Sequence, residues 1–299
     1  MSQRRRFFTA AILFTSCGMI GFGGNPCLER ASAQEKALWQ KKMLGAGAVP
    51  LPDRIAQADL VVRGKVTAVE DKSVQVAPLP GSADKVAYRV LGLKVDEVLI
   101  GDKDTKKIRV GHGVKINPPQ VPPPQALAIE EGWEGLFFLK KHHQGKFYVN
   151  FSFFNGMIPA SESDFNRSLE TSRKLAKIIL DPVAALKAEN ADNRYLAVAM
   201  LITKFRPPVV KGQHQKEEPI DAGVSKLLLK ALAEADWKYD RNWLDVYPAH
   251  PYDLFKQLGV TKVDGYEPPA TGDRDTLAAT QKWLMDHQNK YTIKRIVLE

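Results

Sequence analysis

The chain has 299 residues, with 43 Lys+Arg against 34 Asp+Glu, 44% hydrophobic residues and two cysteines, Cys17 and Cys27. That length suits one large domain or two modest ones able to bury a core without staples, which excludes a disordered chain and a disulfide miniprotein. None of these numbers identifies a chemistry.

The first element is a leader. Arg4-Arg5-Arg6 precedes an uncharged, mainly apolar stretch from Phe7 to Leu28, and Ala31-Ser32-Ala33 then supplies the small-x-small pattern that signal peptidase accepts. Residues 1–33 are therefore expected to be a signal peptide, with Arg4 and Arg5 in its basic region and Ala31 and Ala33 at its cleavage site. Arg4-Arg5-Arg6-Phe7-Phe8 resembles the twin-arginine consensus, while Gln3 and Thr9 depart from it, so an ordinary Sec route stays open. The expectation is a bacterial protein, secreted or periplasmic, with no membrane span after the leader is cut. The product would hold about 266 residues and a charge of about +6. Both cysteines leave with the leader, and with them any disulfide, thiolate nucleophile or cysteine metal site.

Residues 34–58 read as a linker with a short helix, and residues 59–160 as strands. Asp59 to Val69 places Val62, Gly64, Val66 and Ala68 on one face and Arg63, Lys65 and Thr67 on the other. Ser73 to Ala77 looks like a partner. Lys85 to Ile100 is longer, and its apolar phase shifts from Val86, Tyr88 and Val90 to Leu91, Leu93 and Val95, as expected of a bulge at Gly92. Ile108 to Val110 is a further strand. Gly135 to Lys141 and Lys146 to Phe151 form a hairpin around His142-His143-Gln144-Gly145. Residues 118–124, Pro-Pro-Gln-Val-Pro-Pro-Pro, cannot join a ladder and read as a stiff loop.

Residues 161–299 switch to a helical period. Ser163 is expected to cap a helix ending near Leu180, and Asp181-Pro182 to open a short one. Ala191 to Phe205 carries a stripe of Leu196, Met200, Leu201 and Phe205. Asp221 caps another helix and Asp273 opens the last. Helices without intervening strands imply a bundle, so the fold class is α+β: a small antiparallel barrel followed by an α-helical bundle.

Ala58-Asp59-Leu60-Val61-Val62-Arg63-Gly64-Lys65-Val66, Tyr88-Arg89-Val90, Val95 through Gly101 and Gly135-Leu136-Phe137-Phe138-Leu139-Lys140 together resemble the netrin-like barrel of tissue inhibitors of metalloproteinases. The resemblance implies an OB-type, five-stranded Greek-key barrel over about 100 residues. It implies nothing about inhibition, because that family uses an N-terminal cysteine absent here. Asp192 to Leu201 is weakly similar to one helix pair of a HEAT-type repeat.

Catalytic candidates are sparse. Of the six histidines, His112, His142, His143, His214, His250 and His287, none belongs to a helical i, i+4 pair, and His142 and His143 are expected to point to opposite faces of a strand. Asp236 and Asp240 lie four apart, and Glu217-Glu218 are adjacent. The segment 237–255 is dense in rings and acids, a pattern that could serve saccharide stacking or pack a connector. No nucleophile elbow, phosphate loop or dinucleotide fingerprint is present. Arg63, Lys65, Arg89 and Lys94 are too dispersed for nucleic acid. The sequence therefore assigns no catalytic, metal or cofactor residue. Its reading is a non-catalytic binding or scaffold module with an unknown protein or saccharide ligand. The alternative is an extracytoplasmic hydrolase using acids and His250.

Overall fold

The computed structural model describes residues 49–114, 130–150, 156–208, 215–238, 248–269 and 273–298. The leader residues Arg4, Arg5, Ala31 and Ala33, and the proline-rich loop, lie outside the described residues.

A short helix, α1 (Leu51–Gln57), leads into strand β1 (Leu60–Val69). There follow β2 (Val74–Val76), β3 (Val86–Ile100), β4 (Lys107–Val114), β5 (Glu134–Lys141), β6 (Tyr148–Asn150) and β7 (Met157–Pro159). Five of these close on themselves in the order β1-β3-β4-β6-β5, and β5 returns to β1. Every neighbour is antiparallel except β4 and β6, which run parallel through Val110↔Tyr148 and Gly111↔Val149. The result is a closed, mixed five-stranded barrel compatible with the OB-like type, and the expectation of a wholly antiparallel barrel is corrected by that one pair.

The barrel closes because β5 is apolar on both faces. Phe137 and Leu139 point into the interior with Leu60, Val62, Val66, Leu91, Leu93, Val95 and Val110. Leu136 and Phe138 point outward into a second core shared with the helices. Phe137 and Phe138 are both fully buried, and such a side chain contributes about 1.5–3 kcal/mol by leaving water.

The apolar phase shift in β3 has a different cause from the one its letters suggest. The register of β3 on β4 is unbroken through Gly92, and the extra residue sits opposite it on β1, between Val66↔Leu93 and Ala68↔Gly92. Tyr88 and Val90 are buried because Phe147 covers the outer face of the sheet there, whereas Leu91, Leu93 and Val95 fill the interior. The covered face changes, so the phase changes.

The helical half comprises α2 (Phe165–Leu180), α3 (Pro182–Leu186), α4 (Ala191–Phe205), α5 (Ala222–Ala233), α6 (Pro251–Gln257) and α7 (Asp273–His287). Asp181 and Asp221 cap α3 and α5 by accepting from the Ala184 and Val224 amides at 3.0 and 2.9 Å. Asp164, not Ser163, occupies the cap position of α2. Helix α4 is the hub: six consecutive residues, Ala197 to Ile202, are buried on every side rather than along one stripe. The bundle is also not strand-free. β8 (Gln215–Pro219) pairs antiparallel with β9 (Lys294–Leu298), a match of segments far apart in sequence that local periodicity cannot reveal. Among the described residues no helix is long and apolar enough to cross a membrane.

Candidate functional site

The barrel surface carries a groove of about 550 Å³ between the start of β4 and the β5–β6 hairpin. The two strands pair at Val110 and Gly111, and upstream of these Lys107, Ile108 and Arg109 pair with β3 on one side and have no partner strand on the other among the described residues. Leu93, Ile108, Phe147 and Tyr148 line the floor, with Thr67 and Gly92 at one side. Lys107, Arg109, Lys141 and Lys146 stand around the rim.

Phe147 shapes the floor. Its ring lies between Gly111 and Gly145, where a Cβ on either glycine would collide with it, and it contacts Tyr88 at 5.5 Å and His142 at 4.9 Å between centroids. His142 ties the hairpin. Its Nδ1 accepts from the Gln144 and Gly145 amides at 3.1 and 2.8 Å, so the ring proton sits on Nε2, a buried atom with no hydrogen-bond partner among the described residues. Burial, followed by the neighbouring His143, pushes its pKa below the ordinary histidine value. This is a turn-forming residue.

The electrostatics of the rim are uneven. Arg109 is held by Glu70 through Nε–Oε1 and Nη2–Oε2 bonds of 2.8 and 2.9 Å, so its charge is already matched. Lys107, Lys141 and Lys146 are exposed, and no ion pair reaches their Nζ atoms among the described residues. The groove therefore has an apolar base under three positive charges that no ion pair matches among the described residues.

The histidines do not converge. His142 and His143 were expected on opposite faces, yet their rings stack at 4.6 Å, because both lie in the turn beyond the end of β5 and escape its alternation. His112 is half-buried in β4 opposite Arg89, and burial lowers its pKa. His287 stacks on Trp283 at 4.6 Å, and His214 lies outside the described residues. Among the described residues no group of three or more His, Cys, Asp or Glu could hold a metal ion.

His250, the residue of the hydrolase alternative, is buried and caps α6 through Nδ1, which accepts from the Tyr252 amide at 3.2 Å. Burial keeps it below the ordinary histidine value, against the opposing pull of Asp253, the Lys238 main chain and Asp236. Asp236 accepts from the Lys238 amide, and Asp240 and Asp245 lie outside the described residues. Of the aromatic segment, Trp237 is buried with Nε1 donating to the Leu232 carbonyl at 3.0 Å, and Phe255 packs against Tyr266 and Trp283. Glu217 pairs with Arg206 and Lys294, and Glu218 with Lys216 and Arg295, in the β8–β9 ribbon.

None of the groove lysines was singled out by sequence. The one available signal was that Lys106-Lys107 and Lys140-Lys141 are basic doublets at strand ends. The basic residues that were noted go elsewhere: Lys65 pairs with Glu134 at 2.8 Å, and Lys94 lies 4.0 Å from Asp96. No family model matches the chain, and no curated protein matches it.

Proposed function

We propose that the protein is a non-catalytic binding module, exported from a bacterial cell, whose ligand site is the barrel groove. The barrel is taken as an OB-like one on its strand order, and as netrin-like on its strand letters. The observation that carries the reading is an apolar floor beneath Lys107, Lys141 and Lys146, charges with no ion pair among the described residues beside a surface that water wets poorly. Such a site favours ligands with an apolar part and negative charge. The leader letters support export.

The rival, a hydrolase working through His250, has less support, since that ring is buried and its Nδ1 is taken by the Tyr252 amide at a helix start. A general base needs a nitrogen directed at substrate.

The test uses anilinonaphthalene sulfonate, an apolar anion, against the full chain and the triple variant Lys107→Glu, Lys141→Glu, Lys146→Glu. Saturable one-site fluorescence is expected in the wild type, lost in the variant at unchanged melting temperature. Equal fluorescence in both would overturn the assignment of the groove.

A further inference from the structure

We infer that the groove takes an extended acidic peptide segment, which adds as a short strand along the open edge of β4. The inference rests on the binding-module reading above and narrows it to one class of ligand.

Three observations converge on that occupant. The first is the edge itself. Among the described residues β4 is paired on both sides at Val110 and Gly111 but on one side only at Lys107, Ile108 and Arg109. Backbone N–H and C=O groups directed to that open side are ready to pair with a chain laid alongside, the basis of recognition by strand addition. The second is the floor. A strand in that position turns alternate side chains in opposite directions, so one set meets Leu93, Ile108 and Tyr148 while the other faces the rim. The third is charge. Lys107 stands on one wall, Lys141 and Lys146 on the other, and Glu70 already occupies Arg109. A segment alternating apolar and acidic residues satisfies all three.

A saccharide fits the same lining less well. Sugar hydroxyls need several donors and acceptors converging from side chains, and the groove offers the hydroxyls of Thr67 and Tyr148 but no Asn, Gln, Asp, Glu or Trp. The lysines alone would recognise an acidic sugar as point charges, leaving the apolar floor and the strand edge unused.

The test titrates the full-length, isotope-labelled protein with a capped hexapeptide, Glu-Val-Glu-Val-Glu-Val, with the same peptide N-methylated at alternate residues, and with an oligogalacturonate. Saturable binding of the first peptide is expected, with amide shifts centred on Lys107 to Arg109. N-methylation, which removes the donors of one strand edge, should weaken binding by about tenfold or more. The triple lysine reversal should weaken the unmodified peptide as well, and added salt, which weakens binding to the wild type, should strengthen what remains by screening like charges.

Equal affinity for the methylated peptide would overturn strand addition while leaving the groove a binding site. Binding of the oligogalacturonate with none of either peptide would overturn the peptide class and again leave the site. If the sulfonate dye, the peptides and the oligosaccharide all fail to bind, both the inference and the reading it rests on fall.

Discussion

Arg173 of α2 grips Glu97 of β3 through two parallel hydrogen bonds, Nε to Oε1 at 2.8 Å and Nη2 to Oε2 at 2.6 Å. Glu170 accepts from the same guanidinium one turn earlier on the helix. The pair fastens the barrel wall to the helical layer with a bidentate geometry that it shares with Arg109–Glu70.

The Arg173 hydrogen bond holds the Glu97 carboxyl below its ordinary value of 4.5. A depressed carboxylate contributes stability that is complete above the unfolded value and is lost as the pH falls through the folded one. Glu97→Gln should therefore unfold at lower urea than the wild type at pH 7, with the gap narrowing steadily below about pH 4.5. Urea midpoints measured across that range check it; a gap that stays constant into acid would show that the ionised pair is not the source.

The histidines shift stability in a second window. His112, His142 and His250 all sit below the ordinary 6.5, with burial the first cause in each. Their neutral forms favour the fold, so stability is complete above about pH 6.5 and declines as the pH drops toward their lowered folded values. His142→Asn, which keeps an acceptor near the Gln144 and Gly145 amides but cannot titrate, should flatten part of that decline. Proton NMR titration of the imidazoles should place all three midpoints below 6.5.

Phe147 leaves no room at two glycines. Gly111→Ala should destabilise by about 1–3 kcal/mol through overpacking against the ring. Adding Phe147→Leu should recover part of the loss, so the double variant will be more stable than the sum of the singles. Additive effects in a double-mutant cycle would mean that the ring and the strand do not compete for one space.

Phe137 and Phe138 serve cores on opposite sides of one strand, the barrel interior and the layer shared with α2 and α4. Truncating either to Ala should cost about 3–5 kcal/mol, as a large cavity in a packed site does. Because Leu136 and Phe138 join the same cluster as Phe165, Leu169 and Met200, barrel and helices should melt together. Calorimetry should show a single transition in the wild type and in both variants.

Local chemistry is legible from the chain alone. Asp181 and Asp221 could be identified as caps because a short oxygen acceptor ahead of a helical run has one favourable use, and Asp181 is followed by the proline that suits a first turn. The limits of α4 were readable from Ala191 to Phe205, and the β5–β6 hairpin from the gap between two apolar runs. Strand letters were enough to suggest a small barrel before the helices.

What required tertiary structure is everything set by distant partners. Apolar periodicity records that a face is covered but not what covers it, so Tyr88 and Val90 read like a bent strand when in fact Phe147 lies over them. The full burial of α4, the β8–β9 ribbon and the parallel β4–β6 pair depend on contacts between segments tens of residues apart. The groove belongs to the same class. Lys107, Lys141 and Lys146 come from two walls of the barrel, and only closure of the sheet, which stops pairing β4 at Val110, leaves them facing one opening.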